Sequence, residues 1–116
     1  MNAVPISTLD RLVDSVATIQ QVRKKSLQRG DWVYVKTVNS FYCIRTLGDS
    51  RYEVTGGWFE RKGLSSVEVS IAGCTWGGNV IKLDVIAACG LRIEFGNRLI
   101  TSPVQKIFVL PYYIQN

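Results

Sequence analysis

The sequence predicts a mainly β domain of the α+β kind, one N-terminal amphipathic helix packed on a small antiparallel barrel or sandwich of about six to eight short strands. Three observations predict it. Val67-Glu68-Val69-Ser70-Ile71 and Leu91-Arg92-Ile93-Glu94-Phe95 alternate apolar and polar side chains, as a half-buried strand requires. Turn-forming residues recur about every eight to twelve positions after Asp31, too closely for the crossover helices of a parallel sheet. Before Asp31 the period is different: Leu9, Leu12, Val16 and Ile19 repeat at helical spacing, and Val13 and Ala17 widen the stripe on one flank.

The helix is expected to fill residues 1–30. Ser7 can cap its first turn, Asp10 and Asp14 face the positive end of the dipole, Arg23, Lys24, Lys25 and Arg29 complement the negative end, and Gly30 supplies the stop. Residues 31–116 form the β-rich remainder of a single domain. Trp32 to Val38 and Phe41 to Leu47, rich in aromatic and β-branched residues around the turn Asn39-Ser40, predict a hairpin. Gly48-Asp49-Ser50 turns the chain into a third strand, Arg51 to Thr55, and Gly56-Gly57 breaks it before Trp58-Phe59. A loop from Arg61 to Ser66 leads to the strand Val67 to Ile71. The glycine-dense run Gly73 to Asn79, around Trp76, predicts a tight bend or bulge. Val80 to Leu83 reads as a strand, and Asp84 as the cap of one helical turn, Val85 to Cys89, ended by Gly90. Leu91 to Phe95 and Arg98 to Thr101 flank Gly96-Asn97, two residues that tolerate the positive φ of a primed hairpin turn. After Ser102-Pro103, Val104 to Leu110 is the closing strand.

The totals bound the function classes. A chain of 116 residues, 47% hydrophobic and 20% charged, suits one soluble globular domain, with no apolar run long enough for a membrane span. The start, Met1 to Ile6 followed by Ser7, Thr8 and Asp10, lacks the layout of a secretory signal, so a cytoplasmic location without membrane partners is expected. Cys43, Cys74 and Cys89 are odd in number and widely spaced, which argues against a disulfide framework or a thiolate zinc site; small buried thiols are expected.

No assembled catalytic constellation is present. The chain contains no histidine, which removes Ser-His and Cys-His pairs, histidine general bases and imidazole zinc sites, and it has no glycine-rich phosphate loop. No cofactor is expected. Cys74 beside its glycine-rich loop has no base to activate it, and Lys62 near Ser65 and Ser66 has no reason to be neutral. Asp10 and Asp14 stand one helical turn apart, but the dipole accounts for them without a metal. Arg29-Gly30-Asp31 spells an adhesion tripeptide and reads here as a helix-to-strand junction.

A non-enzymatic binding or assembly module is therefore expected, acting through a surface and forming a homo-oligomer or engaging another protein. Its candidate contact is the stripe Leu9, Leu12, Val16 and Ile19, which needs either its own sheet or a second copy to cover it. One alternative is a nucleic-acid-binding small barrel. Arg23, Lys24, Lys25, Arg29, Arg61 and Lys62 would contact phosphates beside partly exposed Trp32, Tyr34, Tyr42 and Trp58, within a formal net charge of +5. Another is a small-ligand or peptide pocket lined by Trp58, Phe59, Trp76, Gly77 and Gly78, where glycines let a ligand approach the backbone.

Overall fold

The computed structural model describes residues 19–64, 66–77 and 81–112. In chain order the elements are β1 (Gln21–Arg23), a 3-10 turn (Lys24–Ser26), β2 (Trp32–Thr37), β3 (Phe41–Gly48), β4 (Arg51–Gly56), α1 (Gly57–Arg61), β5 (Val67–Val69), β6 (Ile71–Thr75), β7 (Ile81–Lys82), β8 (Val85–Ala88), β9 (Arg92–Phe95) and β10 (Val104–Leu110). They form three antiparallel sheets: β10-β2-β3-β4-β5, β7-β6-β9 and β1-β8. Among the described residues no helix is long and apolar enough to cross a membrane.

Alternation decides what each face of the large sheet does. Val33 and Val35, Tyr42 and Ile44, Tyr52 and Val54, and Ile107 point to one side and join Phe59, Ile86, Ile93 and Phe95 in the main core. Residues one step out of phase, Tyr34, Phe41 and Cys43, form a second apolar cluster on the opposite face with Trp32, Phe108 and Leu110.

The sheets join through a bend. Val67 to Ile71, one amphipathic run in the sequence, breaks at Ser70, so that β5 pairs with β4 while β6 pairs with β9. Gly96 N–H donates to the Ser70 carbonyl at 2.8 Å, and a side chain at Gly96 would run into the Ser70 hydroxyl. On the far side, Gly90 N–H donates to Val104 O and Val104 N–H to Leu91 O, both at 2.8 Å, tying the entrance of β9 to β10. A polar knot fixes the turn between β2 and β3. Thr37 Oγ1 accepts from Ser102 Oγ at 2.8 Å and from Ser40 N–H at 3.0 Å, and Ser102 Oγ in turn accepts from Asn39 N–H at 2.9 Å.

Several sequence expectations are corrected. The sheets do not close into a barrel, and ten strands are present among the described residues. The expected helix does not extend through residues 19–30: Val22 is buried between exposed Gln21 and Arg23 because this stretch pairs with β8, and a tertiary ladder outweighs local helix propensity. The expected helix over residues 1–18, with Leu9, Leu12, Val16, Asp10 and Asp14, lies outside the described residues. The helical turn at Val85 to Cys89 is instead β8, whose four residues are all buried; Ile86 and Ala87 fill the main core while Val85 and Ala88 pack on Cys74. Gly73 to Thr75 belong to β6, with a register shift between Ile71 and Gly73, so the glycine serves a bulge inside a strand. At the Gly56-Gly57 break the strand ends at Gly56, and α1, which the sequence did not announce, begins at Gly57. In the Gly96-Asn97 turn the positive φ falls on Arg98, at 70°, and the returning arm makes a single bridge, Glu94 to Ile100.

Two substitutions test this packing. Gly56 has φ 94°, and a Cβ there would strike the Phe41 carbonyl oxygen, so Gly56→Ala is expected to lower unfolding free energy by about 2 kcal/mol or more in urea titration. Thr46 Oγ1, buried on the core side of β3, has no hydrogen-bond partner among the described residues. Thr46→Val keeps the shape, removes the unsatisfied hydroxyl and is expected to raise stability by about 1 kcal/mol.

Candidate functional site

A cleft of about 600 Å³ opens at the seam between the two smaller sheets. Its lining comes from β1 and the residue before it (Gln21, Gln20), β6 and its exit (Cys74, Trp76), β7 (Lys82), and β8 with the following turn (Ala88, Cys89, Leu91). The volume lies in the range of small-ligand sites, about 300–1,000 Å³.

Local sequence explains each wall. Trp76 follows directly on β6, and Gly77, at φ 74°, turns the chain away just beyond it, which leaves the indole 71% exposed. Lys82 is the outward residue of a two-residue strand whose partner is Cys74. Cys74, Ala88 and Leu91 supply an apolar floor that Val85 backs from inside. Gln20 anchors its wall through its carbonyl, which accepts the Cys89 N–H at 2.8 Å.

The charge at the cleft is positive. Lys82 lines it, and Lys24 acts electrostatically on the same floor residue, Cys74. Lys24 is set in place by its backbone N–H, which donates to the Asp84 carbonyl at 2.8 Å. Burial pushes the Cys74 thiol up to about 11, against the downward pull of a backbone hydrogen bond from Ala88 and of the two lysines. Burial likewise raises Cys43 to about 11, only partly offset by a hydrogen bond with Thr55, with Glu60 adding to the rise. Neither thiol is poised as a nucleophile. Cys89 is half-buried, and its Sγ donates toward Ile19 O at 3.5 Å and Gln105 O at 3.6 Å.

The residues singled out from the sequence scatter. Of the expected pocket, Trp76 alone lines the cleft, Gly77 follows it in an exposed turn outside the lining, Gly78 lies outside the described residues, and Phe59 is fully buried in the core. Trp58 packs edge-on against Phe59, with Lys62 Nζ 5.8 Å from its ring centroid. Of the expected stacking residues, Tyr42 is a core residue and Tyr34 is closed in by Trp32, Phe41 and Phe108, whose ring centroids lie 6.1–6.5 Å away.

The six cations do not form one patch. Arg61 Nη1 donates to Ser40 Oγ at 3.1 Å, before β3 begins, whereas Arg29 packs beside Gly48, where β3 ends. Eight extended residues separate the two, about 23 Å. Arg23, Lys24 and Lys25 sit on β1 and the 3-10 turn rather than at a helix end. Asp31 of the adhesion-like tripeptide is buried; its carboxylate accepts the Gln28 and Tyr112 N–H groups, both at 2.8 Å, a junction role. Among the described residues no group of three or more acidic or thiol side chains converges on a metal-sized position. Gln20, Gln21 and Lys82 were not legible as site residues, because only the pairing of β1 with β8 and of β7 with β6 brings them to Trp76. The one sequence signal was an aromatic residue placed beside paired glycines.

Burial and the neighbouring Cys43 hold Tyr34 protonated to about pH 12, two units above an ordinary tyrosine. Between about pH 10 and 12 an unfolded chain has released a proton that the folded chain keeps, so stability is expected to be intact below this window and to fall as pH rises through it. Denaturant unfolding at stepped pH, followed alongside phenolate absorbance, checks this. In the folded protein at mildly alkaline pH, iodoacetamide is expected to label Cys89 well before Cys43 or Cys74, read by peptide mass spectrometry.

No protein-family model, no curated protein and no solved structure matches this chain, which leaves its own geometry as the ground for its function.

Proposed function

We propose that the protein is a non-enzymatic binding module that holds a nucleotide, free or as part of a single strand, in the Trp76 cleft. The observation that carries this reading is an indole left 71% exposed at the wall of a ligand-sized cleft whose lining also includes Lys82. A large aromatic ring is worth most when removed from water, and a planar heteroaromatic base laid on it recovers that stabilisation. The lysine charge then meets the phosphate, with Lys24 reinforcing it, and the Gln20 and Gln21 amides offer both donors and acceptors to base edges. A binding role also agrees with a chain that has no histidine and keeps two of its thiols buried and neutral.

The test is titration of the full chain with AMP, with ATP and with a short thymidine strand, followed by tryptophan fluorescence at low salt. Quenching that saturates, that is lost in Trp76→Ala, and that weakens about tenfold in Lys82→Ala is the expected result. Saturation by the mononucleotides identifies the free ligand, and saturation by the strand alone identifies single-stranded nucleic acid. In the latter case affinity is to fall steeply with added salt. Both replaced residues are exposed, so the variants are expected to fold. No binding at millimolar nucleotide, or binding indifferent to both substitutions, overturns the proposal.

A further inference from the structure

The cations around the cleft differ from those elsewhere on the fold. Arg51 pairs with Glu68, Arg61 donates to Ser40, Arg92 donates to the Thr101 carbonyl, and Arg45 and Lys62 lie over the rings of Trp32 and Trp58. Each of these charges is occupied within the chain. Arg23, Lys24, Lys25 and Lys82 are not: among the described residues none of the four takes part in an ion pair. Strand pairing gathers them along one course. Gln21 of the cleft wall and Arg23 flank buried Val22, so both turn to solvent, and the 3-10 turn adds Lys24 and exposed Lys25 directly after. Lys24 ties this course to the cleft floor, because its N–H is held on the Asp84 carbonyl at 2.8 Å and its charge, like that of Lys82, acts on Cys74. Across residues 20–26 and 81–89 these four bases are accompanied by one acid, Asp84. The positive field therefore runs on past the cleft.

We infer that the cleft takes single-stranded nucleic acid rather than a free mononucleotide, one base lying on Trp76 with its phosphate at Lys82, and the phosphates of neighbouring nucleotides at Lys24, Arg23 and Lys25. This rests on the nucleotide reading of the cleft and narrows it to a strand. A mononucleotide would fill the cleft and leave Arg23 and Lys25, which do not line it, without a counter-charge. A strand brings a phosphate at every step, so cations placed in succession along its course each meet one. The exposure of the indole, 71%, lets a base reach it while still joined to its neighbours, which a closed pocket would refuse. A duplex hides its base faces, so stacking on Trp76 selects the unpaired form.

Fluorescence titration of the full chain with thymidylates of one, two, four and eight nucleotides tests this. Affinity is expected to rise at least about tenfold between one nucleotide and four. With about 0.7 in the log-log salt slope for each phosphate contact on a single strand, the slope is expected to approach about 2 for the longer strands and to stay below about 1 for the mononucleotide. Arg23→Gln with Lys25→Gln, both at exposed positions, is expected to take about 1.4 off the strand's slope and to weaken the strand about tenfold while leaving mononucleotide binding unchanged. Equal affinity for one nucleotide and for strands, or a strand indifferent to this double variant, overturns the inference and leaves a free nucleotide as the ligand of the cleft. Inorganic polyphosphate competing as well as a strand of matched charge also overturns it, since charge alone would then explain binding. Loss of all Trp76-dependent quenching, with every length tried, overturns this inference and the nucleotide reading together, so the two failures are told apart.

Discussion

Burial of the Phe59 ring where the sheets meet is the constraint on which the other features depend. Its centroid lies 6.3 Å from Tyr42 of β3, 5.3 Å from Phe95 of β9 and 5.4 Å from Trp58, each contact edge to face. One ring thereby links the five-stranded sheet, the short helix and the three-stranded sheet. Full burial of such a ring contributes about 1.5–3 kcal/mol, and edge-to-face contacts add about 0.5–1.5 kcal/mol each. Reaching the position requires an abrupt change from strand to helix, and Gly56 and Gly57, at φ 94° and 52°, provide it. Gly57 also lies against the Tyr42 ring, where a Cβ would not fit.

Once that node is set, the bend at Ser70 and the bulge at Gly73 carry β6 away from the large sheet, and the small sheets come together along an uneven seam. Uneven seams leave clefts. A cavity at this one is walled by short strands whose outward residues, Gln21 and Lys82, have no packing role, so polar groups gather around an indole that the core does not use. The same geometry keeps the thiols out of chemistry: Cys74 becomes a floor and Cys43 part of an apolar cluster, both too well buried to ionise readily. The exposed ion pair between Arg51 and Glu68, at 2.5 Å across β4 and β5, contributes little beside these packing effects.

Much of the large sheet was legible in advance. Trp32 to Thr37, Phe41 to Gly48, Arg51 to Gly56 and Val104 to Leu110 lie within a residue or so of where alternation placed them, because a half-buried strand writes its period directly into the sequence. Legibility failed where burial is two-sided or pairing is remote. Val85 to Ala88 show no alternation when every side chain is buried, and Asp84 and Gly90 then imitate helix caps. Gln21 to Arg23 carry a helical stripe forward from the preceding residues, and nothing local reveals that β8 awaits them. The candidate cleft suffered the same limit: Trp76 stood out, but its companions come from positions 20–21, 82 and 88–91, joined only by strand pairing.

By itself, then, the sequence determined the period-two faces, the turns that separate them and the lack of histidine chemistry, since each of these is a property of neighbouring residues or of composition. Tertiary structure alone decided that one amphipathic run would serve two sheets, that the sheets would stop short of a barrel, and that Trp76 would remain in solvent while Trp58 packed inward. The reason is physical. Alternation specifies which side of a strand is apolar, whereas which apolar sides meet depends on volumes, bends and backbone partners drawn from distant parts of the chain.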